Sequence, residues 1–135
     1  MTAMKKLAVK AIARDVVIIV ALSGIAGFYT SLAMPGKYGT PEHASTVLLL
    51  SLVLMTVGFV IVACLSPDNR WLQLILVGVL TWLLGGLINI PFFGLSYLNW
   101  IKGIIHIATP MAVGGAFSYV FKRSQPTAPN QPNSL

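Results

Sequence analysis

The chain has 135 residues, of which 56% are hydrophobic and only 9% charged; nine Lys and Arg against three Asp and Glu give it a formal charge of +6. A water-soluble domain carries about a quarter charged residues, so this composition excludes a globular surface in water and makes the bilayer the expected solvent. The basic residues form no stripe interleaved with aromatics, which argues against a nucleic-acid partner, and a single cysteine, Cys64, rules out an intrachain disulfide or a cysteine-based metal site within one chain.

Lys5, Lys6, Lys10 and Arg14 precede the first apolar run, about Val16 to Met34. A basic start and the small triplet Ser31-Leu32-Ala33 resemble a cleavable signal, but the run is long for a signal core, so it reads as a retained first span. Asp15 reads as a local ion-pair partner of Arg14 near the headgroups. Ser23, Gly24 and Gly27 offer a close-packing face. The stretch PGKYGTPEHAST, Pro35 to Thr46, reads as a loop long enough to fold over the bundle mouth.

The second span covers about Val47 to Leu65 and is poorer in small residues, with Gly58 and Ala63 only, so it reads as more lipid-facing. SPDNR, Ser66 to Arg70, is short enough to demand a tight hairpin between spans two and three. Pro67 suits the turn and Asp68 a helix cap. The third span, about Trp71 to Ile90, has Gly78, Thr81, Gly85 and Gly86 for packing. It also places Trp82 near its middle, where the indole N–H needs a partner inside the protein or at a lumen.

INIPFFGLSYLNW reads as the turn between spans three and four, with Asn89 as a cap or turn residue. The fourth span, about Trp100 to Phe121, carries Lys102, His106 and Thr109-Pro110, with Ala108, Ala112, Ala116, Gly114 and Gly115 as small residues. Trp71 and Trp100 read as anchors at opposite interfaces, in a belt with Tyr38, Phe92 and Tyr97. Residues 124–135, with three prolines and no apolar face, read as a disordered cytoplasmic tail.

Seven Lys and Arg fall on the side of the termini and the SPDNR connector, against Lys37 and Lys102 on the other. The positive-inside rule then places both termini in the cytoplasm. The fold class is an all-α membrane protein, with four transmembrane helices in an antiparallel bundle of the inner membrane. Residues 1–123 form its single domain.

Chemistry has few candidates. His106 lies one turn deeper than Lys102 and one turn before Thr109-Pro110, where proline frees a helical carbonyl. His106, Lys102, Asn89, Trp82 and Thr109 are the candidate ligand or proton-pathway residues. Each also has a plain structural reading: a cross-helix hydrogen bond, a snorkelling stem, a cap, or packing. Glu42, His43 and His106 would meet as metal ligands only if the first loop folded inward, and no spacing requires it. No nucleophile elbow, HExxH or phosphate loop is present, so no catalytic residue is assigned and no cofactor is specified.

The leading expectation is an accessory or structural subunit of a larger membrane complex, with the bilayer and other subunits or copies of itself as partners. The second is a homo-oligomeric transporter or channel for a small solute, ion or proton, using a polar site near His106. The third is a membrane enzyme or cofactor-binding protein.

Overall fold

The computed structural model describes the backbone of residues 2–66 and 70–123, and the side chains of residues 9–66 and 70–121. Every element described is a helix: α1 (Thr2–Ala33), α2 (Pro41–Leu65), α3 (Arg70–Phe93) and α4 (Tyr97–Arg123). Within them Val9–Ala33, Pro41–Leu65, Arg70–Phe93 and Tyr97–Phe121 are each long and apolar enough to cross a membrane. At 1.5 Å per residue such helices reach about 36–38 Å, against about 30 Å of hydrocarbon. Their outer faces carry large apolar side chains, among them Phe28, Leu87 and Ile105, each about 70% exposed. So much outward apolar surface suits lipid and not water. The expected turn at Pro67, the cap at Asp68 and the tail at 124–135 lie outside the described residues.

Two helix ends differ from the sequence reading, for local reasons. α2 starts at Pro41 rather than near Val47, because Thr40 is an N-cap. Its backbone is extended and its hydroxyl accepts the His43 N–H at 3.2 Å, with Pro41 in the first turn. Glu42 and His43 therefore sit on a helix and not in a loop. Glu42 complements the helix N-terminus and pairs with Lys37 at 2.9 Å. The connector shrinks to residues 34–40, reversing through Gly36 and Gly39 at positive φ.

α3 likewise runs past Ile90 and through Pro91 to Phe93. Pro91 costs only one late bond, to the Leu87 carbonyl, and the end is closed by Leu95 N–H donating to the Asn89 carbonyl at 3.1 Å. The turn expected over Pro91 to Asn99 is only residues 94–96. Gly94 takes a φ of 66°, and the Ser96 hydroxyl accepts the Asn99 N–H at 3.3 Å to start α4.

Packing overturns two further expectations. α2 rests on α4 and α1, α3 rests on α4 and α1, and α2 with α3 make the slightest interface of these despite their short connector; the backbones of α1 and α4 do not come close among the described residues. α2 is thus a central helix, not the lipid-facing one. The reason lies on α4, where a Cβ added at Gly114 would stand 2.7 Å from Phe59 Cβ and 2.9 Å from the Thr56 carbonyl oxygen. A bare glycine lets the two backbones close up, which in lipid is a main source of helix association. Gly114, Gly115 and Ser118 form the buried face of α4, while Ala112 and Ala116 point outward. Gly24 and Gly27 of α1 face open space. The apolar core joins Val16 and Ile19, Met55, Phe59, Val62 and Ala63, and Leu74 and Val77, with Met111 against it.

Polar side chains brace the end of the bundle beyond this core. Asp15 is fully buried. It pairs with Arg14 at 2.7 Å, as expected, and also accepts from Gln73 Nε2 at 2.9 Å, which ties α1 to α3. Arg70 is not a connector residue but the first of α3, 6% exposed. Its Nη1 donates to Ser118 Oγ at 2.8 Å, and its guanidinium lies 4.3 Å over the Tyr119 ring. Trp71 Nε1 donates to Tyr119 Oη at 3.0 Å, so this anchor is fastened to α4.

Candidate functional site

A hydroxyl or imidazole in the middle of an apolar helix must find its partner inside the protein, since lipid offers none. Each helix has at least one such residue within three residues of the centre of its span. Thr56 and Thr109 return their hydroxyls to the Leu52 and Ile105 carbonyls of their own helices, which leaves Ser23, Ser51, Thr81 and His106, one from each helix. All four line one cavity of about 380 Å³. The cavity runs from this level toward the α3–α4 turn, where Asn89 and Asn99 line it. From His106 to Asn99 along α4 is about 10 Å of helix. The remaining wall is apolar, with Val20, Met55, Leu84, Ile88 and Ile107. No Asp, Glu, Lys or Arg is among its described lining residues.

Thr81 is the most constrained member. It is 8% exposed, and its Oγ1 has no hydrogen-bond partner among the described residues. An unpartnered buried hydroxyl costs roughly 1–3 kcal/mol. Ser51 makes only a weak bond to the Met55 sulfur at 3.6 Å. Asn89 spends one amide hydrogen on the Gly85 carbonyl at 2.8 Å. His106 is half-buried, and the buried Pro110 leaves its backbone carbonyl without the usual helical donor.

One wall is a clasp between α3 and α4. The indoles of Trp82 and Trp100 stack with centroids 4.1 Å apart and planes 6° from parallel. Trp82 Nε1 donates to the Trp100 carbonyl and Trp100 Nε1 to the Trp82 carbonyl, both at 3.0 Å. Gly86 makes room, since a Cβ there would fall 2.5 Å from Trp100 Cε2. The partner that mid-helix Trp82 requires is therefore Trp100. Trp100 itself is half-buried and turned inward, not an interface anchor.

Of the five candidate residues, the cavity gathers Trp82, Asn89 and His106 and leaves Lys102 and Thr109 outside. Both are exposed, and the Thr109 hydroxyl returns to the Ile105 carbonyl at 2.9 Å. Helical geometry explains this. Asn99, Gly103 and Ile107 lie on one side of His106, within an arc of about 100°, while Lys102 and Thr109 lie about 40° and 60° to its other side, beyond the edge of the cavity. Glu42, His43 and His106 stay apart, and no three His, Cys, Asp or Glu come together among the described residues. His43 instead packs against Tyr38, with ring centroids 5.4 Å apart.

Sequence reasoning treated Ser23 and Thr81 as packing residues, Asn99 and Trp100 as interface residues, and passed over Ser51. The usable signal was positional, because each central hydroxyl marks the middle of an otherwise apolar run. No protein-family model, curated protein or solved structure matches this chain.

Proposed function

We propose that the chain is a four-pass antiparallel bundle of the inner membrane, with both termini in the cytoplasm, that passes a small solute through this cavity. The pairings of Arg70 with Ser118 and of Trp82 with Trp100 support opposed directions for α3 and α4. The seven basic residues on the side of the termini support the orientation. The observation that carries the transport reading is the meeting of one polar residue from every helix at mid-span on a single cavity. Small-solute sites of membrane transporters lie near the bilayer midplane. Thr81 and His106 hold the solute, Asn89 and Asn99 line the periplasmic entrance, and Trp82 forms a wall. The core of Ile19, Phe59 and Val77 is the cytoplasmic plug that has to part for passage.

Single cysteines test the pathway in a Cys64→Ser background, using sealed vesicles and an uncharged, sugar-linked, membrane-impermeant thiol reagent. Asn99→Cys, Gly103→Cys and His106→Cys are expected to react from the periplasmic side. Ile105→Cys, at the same depth but facing outward, is expected to stay inert. If His106→Cys is inert from both sides, the cavity is a sealed void and the pathway reading fails.

A second reading, an accessory subunit or self-associating protein, is favoured by the outward face of Gly24 and Gly27 on α1. A second chain's helix would approach closely there. Native mass spectrometry after gentle extraction tests it: a partner or second copy lost with Gly24→Leu supports it, and a bare monomer counts against it.

A further inference from the structure

We infer that the solute of this pathway is a small uncharged amphiphile bearing a hydroxyl or carbonyl group, an assignment that rests on the pathway reading above. Charge is the first discriminator. A charged solute at mid-span would lie in low dielectric with no opposite charge on the described walls, and such a burial is strongly unfavourable. Lys102, the nearest cation along α4, is exposed and outside the lining.

Hydrogen bonding is the second. Thr81 lines the cavity, and its Oγ1 is buried without a hydrogen-bond partner among the described residues. A hydroxyl can donate and accept, and the neutral imidazole of His106 does the same through its two nitrogens. A ligand hydroxyl, or a carbonyl that accepts from Thr81, satisfies a group the protein leaves open. A plain hydrocarbon does not.

Shape and polarity give the third. Beyond its few polar groups the wall is aliphatic and aromatic, so the rest of the ligand is apolar. A 150 Å³ apolar cavity accepts benzene, so about 380 Å³ has room for roughly a dozen to fifteen non-hydrogen atoms. Trp82 and Ile107 also line a second, apolar groove of about 190 Å³ on the α3–α4 seam. The same two residues thus separate the polar cavity from a lipid-side groove, and an amphiphile dissolved in the bilayer has a short route between them.

The test uses the full chain in detergent with Trp71→Phe, so that emission comes from Trp82 and Trp100 alone. Four bromophenyl quenchers of matched size are compared: 4-bromophenethyl alcohol, 4-bromotoluene, a 4-bromobenzyl ammonium and 4-bromobenzenesulfonate. Brominated phosphatidylcholine is the fifth. The alcohol is expected to quench saturably, and the two ions neither to quench saturably nor to compete with it. Thr81→Val, which keeps the shape and removes the hydroxyl, is expected to weaken the alcohol about tenfold, close to the value of one buried hydrogen bond, and to leave 4-bromotoluene unchanged. Thr81→Ser is expected to bind the alcohol like the parent, which separates loss of the hydroxyl from loss of the fold.

Four results would overturn the inference: linear quenching by all five compounds alike, saturable binding of either ion, phosphatidylcholine matching the alcohol, or an alcohol-to-toluene ratio unmoved by Thr81→Val. If any of these occurs while His106→Cys is labelled from the periplasmic side, the pathway stands and only the ligand class falls.

Discussion

Replacing Trp100 by alanine is expected to destabilise the bundle by an amount that the clasp geometry sets. The substitution removes a stack at 4.1 Å, worth about 0.5–1.5 kcal/mol beyond burial. It also removes the bond from Trp100 Nε1 to the Trp82 carbonyl, and cross-helix hydrogen bonds in membranes are worth about 0.6–1.7 kcal/mol. Together these give about 1–3 kcal/mol, read by SDS titration or steric trapping in mixed micelles. Phe92, 78% exposed, is the control, and its alanine variant should change stability by less than about 0.5 kcal/mol. A double-mutant cycle sharpens the assay. Each indole N–H donates to the other residue's backbone carbonyl, which side-chain substitution leaves in place. Trp82→Phe and Trp100→Phe should therefore add within about 0.5 kcal/mol. Trp82→Ala and Trp100→Ala should couple by about 0.5–1.5 kcal/mol, the pair costing less than the sum, because either one already destroys the stack. Additive alanine variants, or a Trp100→Ala no worse than Phe92→Ala, would refute the clasp.

Gly114→Val forces side-chain atoms against the α2 backbone at Thr56 and Val60, which cannot give way; a loss of about 1–3 kcal/mol or more is expected in the same titration, whereas Gly24→Ala, with nothing within 4 Å, should be neutral or slightly stabilising. Gln73→Ala removes one of the two partners of the buried Asp15 and should cost about 1–3 kcal/mol, with Gln73→Glu worse still because it sets a second carboxylate beside the first. Arg70→Met keeps the length and apolar stem but loses the Ser118 bond and the Tyr119 ring contact. A cost of about 1–3 kcal/mol in the titration is expected, and Arg70→Lys should recover only part of it, since an ammonium lacks the planar face that stacks on the ring.

Much of the fold was legible because lipid makes span-forming sequence conspicuous: four apolar runs of the right length became four helices. The ends were less legible where a single hydrogen bond decided them. Thr40 reaches His43 and draws Glu42 and His43 into α2, and Ser96 starts α4 earlier than its apolar run suggests. The neighbour relations were not legible. A short connector argues that α2 and α3 should embrace, yet Gly114 brings the α4 backbone against the α2 backbone at Thr56 and Val60, and a glycine's partner cannot be read from its own sequence position. At the site, His106 and Trp82 were conspicuous as polar groups in apolar helices. Lys102 was drawn in by its spacing from His106, but a 40° offset and a long stem take it to the surface. Thr81 was hidden in plain view, because a small hydroxyl in a Gly-Thr-Gly row reads as packing until the other three helices are seen to bring their own polar residue to its level.

The account rests on a solute cavity at the middle of the bundle, and Thr81→Cys in a Cys64→Ser background tests it most directly. In sealed vesicles its labelling by a small, uncharged, sugar-linked and membrane-impermeant thiol reagent is measured from each side, with and without Gly85→Leu. A Cβ at Gly85 would meet nothing within 4 Å, and the residue lines the cavity, so a leucine there is expected to occupy the space. Labelling from the periplasmic side only, abolished by Gly85→Leu, is the predicted result. A Thr81→Cys thiol that is equally unreactive from both sides, or one whose reaction Gly85→Leu leaves untouched, would contradict the account.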